Sequence, residues 1–238
     1  MFENDLAMFK LQLKLALKDK LIFFYTLIIP IIMLFVNRGQ SLQDNEALYI
    51  YWSYIVVTTV LNGFLMKLIQ LRENGFLKTL SYLTGSKLSI IMSAFLVQLV
   101  VVQLEILMFN LVVTALITPV SLMTFLYGFL VSFMATLLCS AMLSGLLILK
   151  IRYVFFNLLI AGFLFSGIIL LGIRPTGHWN YLLTIFNPFQ LIYGLYVVPC
   201  TSIVFEIFIG ICIICYLWMG FLIINNISIR SHLSRVKR

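Results

Sequence analysis

Residues 89–117 read SIIMSAFLVQLVVVQLEILMFNLVVTALI, an apolar run with a few polar side chains and a single charge. At a rise of 1.5 Å per residue, about 20 helical residues cross the roughly 30 Å hydrocarbon core of a bilayer. The run is long enough to cross a membrane and to tilt or extend past the lipid. This stretch therefore predicts an integral membrane protein.

The composition of the whole chain supports that prediction. Of the 238 residues, 63% are apolar and only 10% are charged, against roughly 25% charged in a soluble domain. A soluble globular fold is thereby nearly excluded. We predict an all-α integral membrane protein with one transmembrane domain over residues 1–238. The apolar runs predict six spans, at residues 21–36, 47–71, 89–117, 122–149, 153–173 and 201–225.

Basic residues near the span ends set the orientation of a membrane protein, and the cytoplasmic side carries most of them. Two of the 16 basic residues, Arg38 and Arg174, fall on one side of the predicted membrane. We therefore expect a multi-pass protein of the cytoplasmic membrane with both termini in the cytoplasm. The net charge is +8, but the basic residues are explained by the orientation of the spans. Nucleic acid is therefore not an expected partner. The residues on the basic side are Lys10, Lys14, Lys18, Lys20, Lys67, Arg72, Lys78, Lys87, Lys150, Arg152, Arg230, Arg235, Lys237 and Arg238.

Two segments are expected to lie along the membrane surface. Residues 2–18 predict an amphipathic interfacial helix with its cations toward anionic headgroups. Residues 179–199 are also apolar, but Asn187-Pro188 near the middle interrupts a helix. We favour two short re-entrant helices in the outer leaflet over a seventh span. The apolar face of the first helix consists of Phe2, Leu6, Phe9, Leu13 and Leu17. In the second segment, the aromatic residues suited to the membrane–water interface are Trp179, Tyr181, Tyr193 and Tyr196.

The sequence contains no recognisable catalytic or metal-binding constellation. His178 and His232 fall in loops predicted on opposite sides of the membrane, so they cannot share a metal ion. Three of the four cysteines lie in continuous apolar runs. We expect no metal, no cofactor bound by this chain and no enzymatic activity of its own.

Buried polar residues in the span 89–117 are candidates for function, because a charged group at bilayer depth costs about 2.5 to 3.5 kcal/mol on insertion scales. Gln98 and Glu105 share one face of the predicted helix, while Gln103 and Asn110 form a second stripe roughly opposite. Two stripes predict two buried contacts. For Glu105, an interhelical hydrogen bond and a contact with cargo or a coupling ion both stay open, and the former is favoured.

The segment 72–87 between the second and third spans reads RENGFLKTLSYLTGSK. After a break at Gly75, the apolar residues Phe76, Leu77, Leu80 and Leu83 fall on one face of a short helix. An apolar face on the cytoplasmic side indicates a helix that enters a groove on another protein. The alternative is a helix that lies on the membrane and binds nothing.

The six spans, the surface helix and this loop together resemble the permease subunit of an ABC-2 type ABC transporter. The family's loop pattern is matched by Glu73, Gly75, Leu77, Lys78 and Leu80, whereas Phe76 replaces a small hydroxyl residue. The late segment Asn187-Pro-Phe-Gln-Leu-Ile-Tyr-Gly-Leu195 is also similar to the family's proline-containing stretch.

The resemblance implies that two permease chains, identical or paralogous, pair with two ABC ATP-binding subunits, which bind ATP and Mg²⁺. It implies that segment 72–87 couples to the ATPase through Glu73, Gly75, Phe76, Leu77, Lys78, Leu80 and Leu83. Export of an amphipathic or hydrophobic cargo, such as a peptide, drug or lipid, is the expected activity. An ATP-independent secondary transporter or channel that uses Glu105 is the main alternative, and an immunity or sensor subunit is another.

Overall fold

The computed structural model describes residues 2–18, 20–36, 46–116, 119–149, 151–172 and 178–226. Helices account for 93% of these residues, which include no strand. The prediction of an all-α protein is confirmed. The α-helices are α1 (Phe2–Lys18), α2 (Lys20–Val36), α3 (Glu46–Thr59), α4 (Met66–Glu73), α5 (Phe76–Thr84), α6 (Lys87–Leu116), α7 (Leu122–Leu143), α8 (Tyr153–Gly172), α9 (His178–Phe186), α10 (Pro188–Val197) and α11 (Ile203–Asn226).

Short irregular helices join some of these elements. A π-helical turn, Val60–Leu65, connects α3 to α4, so that Ala47–Glu73 forms one long helix. The 3₁₀ turns Ser144–Ile148 and Val198–Cys200 extend α7 and α10. Two glycines with φ near +74°, Gly75 and Gly85, bound α5, because glycine enters the left-handed region without a steric penalty.

Within the described ranges, five helices are long and apolar enough to cross a membrane. The number rises to seven if the bent pairs α1–α2 and α9–α10 each count as one span. The chain is therefore an α-helical membrane protein. Several basic residues used to predict its orientation lie outside the described residues, as does His232. The five helices are Ala47–Glu73, Lys87–Leu116, Leu122–Ile148, Tyr153–Leu170 and Ile203–Asn226, and the undescribed basic residues are Arg38, Lys150, Arg174, Arg230, Arg235, Lys237 and Arg238.

The long helix Ala47–Glu73 is the centre of the bundle and is surrounded by α2, α6, α7 and α10. Trp52 on α3 is fully buried, and its ring lies where a Cβ on Gly128 of α7 would otherwise sit. The Tyr196 ring of α10 lies 5.4 Å from that of Trp52. Aromatic packing therefore joins three elements in the core.

The burial of α10 corrects one expectation about the segment 179–199. Two short helices do meet at Asn187-Pro188, with an angle of 116° between them. However, Tyr196 is fully buried between α3 and α7 and does not lie at a surface, whereas Trp179 on α9 is exposed. Apolar content alone did not separate the helix that enters the core from the one that stays outside.

Helix α1 also differs from its predicted orientation. It packs against α6 through Met8 and Gln12, which are buried, while Leu6 and Leu17 of the predicted apolar face are about half exposed. The Gln12 amide donates to the Ile90 carbonyl over 3.4 Å. Apolar residues occupy more than one face of α1, so the sequence pattern did not show which face meets the protein.

Candidate functional site

The carboxyl group of Glu105 lies at the centre of α6 and is completely buried. One oxygen accepts a hydrogen bond from Thr26 Oγ1 of α2, and the other accepts from Thr59 Oγ1 of α3, each over 2.5 Å. Both of its oxygens are therefore held by side chains from neighbouring helices. Removing either hydroxyl would leave part of a buried carboxyl without a partner, which is costly in the absence of water.

The π-helical turn begins directly after Thr59 and shapes the space beside Glu105. A Cβ on Gly63 would fall 2.1 Å from Oε1 of Gln98, so only glycine leaves room for that amide. Gln98 is buried, and among the described residues its Nε2 has no hydrogen-bond partner. A π-helical turn inside an α-helix commonly marks a functional position.

Gln98 and Glu105 line the same cavity, which is bounded by α1, α6 and the turn Val60–Leu65. Its walls are mainly apolar. The polar groups that line it also include Gln12, Thr59, Asn62 and Lys67. The cavity thus combines an apolar surface with a few fixed polar groups, which is typical of binding sites for small molecules.

Asn62 also lines a second cavity. This second cavity is bounded by α2 and α8, and Tyr25 and Asn157 contribute its other polar groups. The π-helical turn consequently contributes a residue to both cavities. The sequence did not predict a role for Asn62 or Gly63, because nothing in the composition of this segment indicates the π-helical turn that positions them.

The second polar stripe of α6 makes contacts inside the bundle. Gln103 Nε2 donates to Ser132 Oγ of α7 over 2.7 Å, and Asn110 Oδ1 accepts from Trp52 Nε1 over 2.8 Å. The two predicted stripes therefore face different surroundings. Gln98 and Glu105 face the cavity, while Gln103 and Asn110 connect α6 to its neighbours.

Helix α5 lies against α1 and α6 through only part of its apolar surface. Leu77 is buried with Met8 and Ile90, and Leu80 packs against this small cluster. Phe76 and Tyr82 instead point away and are 57% and 77% exposed. The four apolar residues thus do not form one free face. Leu77 is unavailable to a partner in this arrangement, and the side chain of Leu83 lies outside the described residues.

A network of hydrogen bonds fixes the turn that precedes α5. The buried Arg72 guanidinium donates to the carbonyls of Leu147 and Leu149 over 2.7 and 3.1 Å, so it holds the end of α7. Glu73 Oε2 accepts from the Tyr153 backbone N–H at the start of α8 over 2.9 Å. Glu73, expected at a partner surface, is thus engaged within the chain. The sequence indicated Arg72 only as one of the basic residues that set the orientation.

The exposed side of α5 carries Lys78, and a second lysine, Lys87, follows the helix. Lys78 Nζ is 5.9 Å from the centroid of the Tyr82 ring, and Thr79 beside it is exposed. Lys87, after Gly85, donates to the Asn225 carbonyl near the end of α11. This end of the bundle therefore gathers the ends of the central helix, α7 and α11 and the beginnings of α6 and α8 around α5.

At the other predicted site, Asn187 and Pro188 form the joint between α9 and α10. Asn187 Oδ1 accepts from the Phe189 N–H over 3.1 Å and caps α10, and its Nδ2 donates to the Gly167 carbonyl of α8 over 3.2 Å. Pro188 occupies the first turn of α10, where its missing N–H needs no partner. These two residues anchor the joint to the bundle.

Comparison with known proteins adds no identity: no family model matches the chain, and no curated protein or solved structure shows significant similarity to it. In the described part of the chain, no group of three or more His, Cys, Asp or Glu residues could hold a metal ion. The cavity and α5 are the features of the described chain that bear on its function.

Proposed function

We propose that this chain is the transmembrane permease subunit of an ATP-driven exporter of the ABC-2 type. The observation that carries the proposal is the form of α5. It is a short helix between two left-handed glycines, with Leu77 anchored inward and Phe76 and Tyr82 exposed. A helix of this kind can transmit a push from a partner to the spans that meet around it.

In the proposed topology the chain crosses the membrane six times and α5 is cytoplasmic. The six spans are α2, the long helix Ala47–Glu73, α6, α7, α8 and α11. Helix α1 lies at the inner leaflet, and α9 with α10 re-enters the outer leaflet. Support comes from Lys67, Arg72, Lys78, Lys87 and Arg152, which all lie at the α5 end, in agreement with the excess of basic residues on the cytoplasmic side.

Two ABC ATP-binding subunits and a second permease chain, identical or paralogous, complete the proposed transporter. ATP and Mg²⁺ bind to the ATPase subunits, and the exposed residues of α5 occupy a groove on each. A nucleotide changes the membrane domain only if the groove binds α5 differently in its two states. The mainly apolar cavity is consistent with an amphipathic or hydrophobic cargo.

The experiment replaces the exposed aromatic residues of α5. The double variant Phe76→Ala/Tyr82→Ala is co-expressed with an ABC ATP-binding subunit that copurifies with the wild-type chain, and complex recovery and ATP-dependent transport into vesicles are measured. We expect recovery to fall about tenfold or more, because aromatic residues at the centre of an interface commonly contribute about 2 kcal/mol.

The matched control is Trp179→Ala/Phe186→Ala, which removes two equally exposed aromatic residues from the short helix α9. This control should leave recovery unchanged. Equal recovery for the α5 variant and the control, with transport intact, contradicts the proposal. Transport by vesicles that lack any ATPase, abolished by Glu105→Gln, would instead establish the secondary transporter.

A further inference from the structure

The cavity between α1 and α6 contains a buried polar group that has no partner among the described residues, and this is where the structure points to a ligand. Gln98 is only 3% exposed and lines the cavity, and its Nε2 donates to no other described residue. A buried donor left unpaired costs about 1 to 3 kcal/mol. A ligand atom that accepts from Gln98 would recover that cost.

The walls of the cavity indicate that the remainder of the ligand is apolar. Apart from the polar groups already described, the cavity is lined by aliphatic and aromatic side chains of α1, α2, α4, α5 and α6. Leu11 and Leu15 line the cavity and are also 50% and 43% exposed, so its mouth lies along α1.

The polar groups restrict the charge of the ligand. Lys67 lines the cavity too, but it already has an interaction within the chain. Both Glu105 oxygens already accept hydrogen bonds, and an anionic head group beside a buried carboxylate would add repulsion in a medium of low dielectric constant. A charged head group would also lose its hydration, at a cost that a single amide does not offset. An uncharged group that accepts a hydrogen bond, such as a hydroxyl or an ester carbonyl, suits Gln98.

We propose that this cavity binds one long-chain amphiphile from the surrounding leaflet, with its uncharged head group on Gln98 Nε2 and its chain between α1 and α6. Gly63 is part of the site, because any side chain there would displace the Gln98 amide. This assignment rests on the proposed function in one respect: the proposed topology identifies the leaflet as the cytoplasmic one.

The test uses the full-length chain reconstituted in phosphatidylcholine vesicles that contain a photoreactive hexadecanol. After illumination and digestion, mass spectrometry locates the labelled residues. We expect labels on α1 and on residues 94–101 of α6. Excess unlabelled hexadecanol should remove them, and hexadecane, which has the chain without the hydroxyl, should not. Equal competition by hexadecane would overturn the role of Gln98.

Variants of α6 test the hydrogen bond to Gln98 and the free volume of the cavity separately. Gln98→Leu removes the amide, and labelling at α1 and α6 should fall about fivefold, as expected for one hydrogen bond. Ala94→Phe should abolish it by filling the cavity. Gln103→Leu, on the other stripe of the same helix, is the matched control and should label normally. Labelling that is equal in all three variants, or confined to the exposed faces of α8 and α11, would refute the site.

The two proposals fail separately in these experiments. Competition in the wild-type protein tests the site even if a variant fails to fold. Loss of specific labelling, with α5 variants still defective in ATPase binding, would refute the amphiphile site alone. Specific labelling that persists while transport proves independent of the ATPase would refute only the proposed function.

Discussion

The central helix Ala47–Glu73 and the last helix, α11, both qualify as membrane spans, but they differ in burial. The central helix is the less apolar of the two, and 72% of its most apolar stretch is buried inside the protein, against 17% for α11. In a bilayer, lipid chains solvate apolar side chains as well as protein does, so apolar character does not by itself drive a helix into the bundle. Polar and shape-specific contacts hold the central helix instead.

Three pairs of substitutions, each comparing a site in the protein interior with a matched site, test this difference. Stability is measured in every case by unfolding of the purified protein in the same detergent micelles. The comparison predicts a large effect where side chains are held by protein and a small one where they face lipid.

The two tryptophans should give the largest contrast. Trp52→Ala empties a fully buried position and removes the donor to Asn110, so we expect a loss of about 3 to 5 kcal/mol in the free energy of unfolding. Trp218→Ala on α11 removes a side chain that is 66% exposed, and the change should stay within about 0.5 kcal/mol. Similar losses at both positions would show that α11 is also held by specific contacts.

Substitution of a buried and of an exposed glutamate should give a smaller difference in the free energy of unfolding. Glu105→Ala leaves the hydroxyls of Thr26 and Thr59 without their shared acceptor, and we expect a loss of about 2 kcal/mol from two interhelical hydrogen bonds. Glu206→Ala, in the exposed first turn of α11, should be nearly neutral. Unchanged stability after Glu105→Ala would leave transport as the only reason for a carboxyl at this depth.

The smallest effect is expected where α11 does contact the protein. A Cβ on Gly220 would lie 2.8 Å from the Cβ of Ala141 in α7, so Gly220→Ala should separate the helices and cost about 1 kcal/mol. Gly210→Ala lies ten residues earlier, where an added Cβ would meet no other described part of the chain within 4 Å, and it should be neutral or slightly stabilising. If both alanines behave alike, the close approach at Gly220 does not contribute to stability.

Much of the helical architecture follows from local properties of the sequence. The run predicted at 153–173 corresponds to α8, Tyr153–Gly172, and that at 201–225 corresponds to α11, Ile203–Asn226. The turn at Asn187-Pro188 and the short helix after Gly75 were also predicted. These features depend on residues that are adjacent in sequence, because hydropathy and the conformations of glycine and proline act locally.

Contacts between distant segments were harder to predict. The sequence separated Gln98 and Glu105 from Gln103 and Asn110, since a helix has a fixed period. It did not reveal that Thr26 and Thr59 would hold Glu105, because threonine in an apolar run often bonds only to its own helix. The assignment of Leu77 to a free face failed for a similar reason, since periodicity defines a face but does not identify the surface that it meets.

The sequence by itself determined that this is a helical membrane protein, which segments are apolar enough to cross the bilayer, and where the short helix α5 begins. Length, apolar content and glycine positions are sufficient for these conclusions. Only the tertiary structure decided that Arg72 holds the end of α7, that α10 enters the core, and that Gln98 faces a cavity where its Nε2 has no partner among the described residues. These contacts join residues far apart in the chain, and they depend on helix rotation and packing, which hydropathy does not encode.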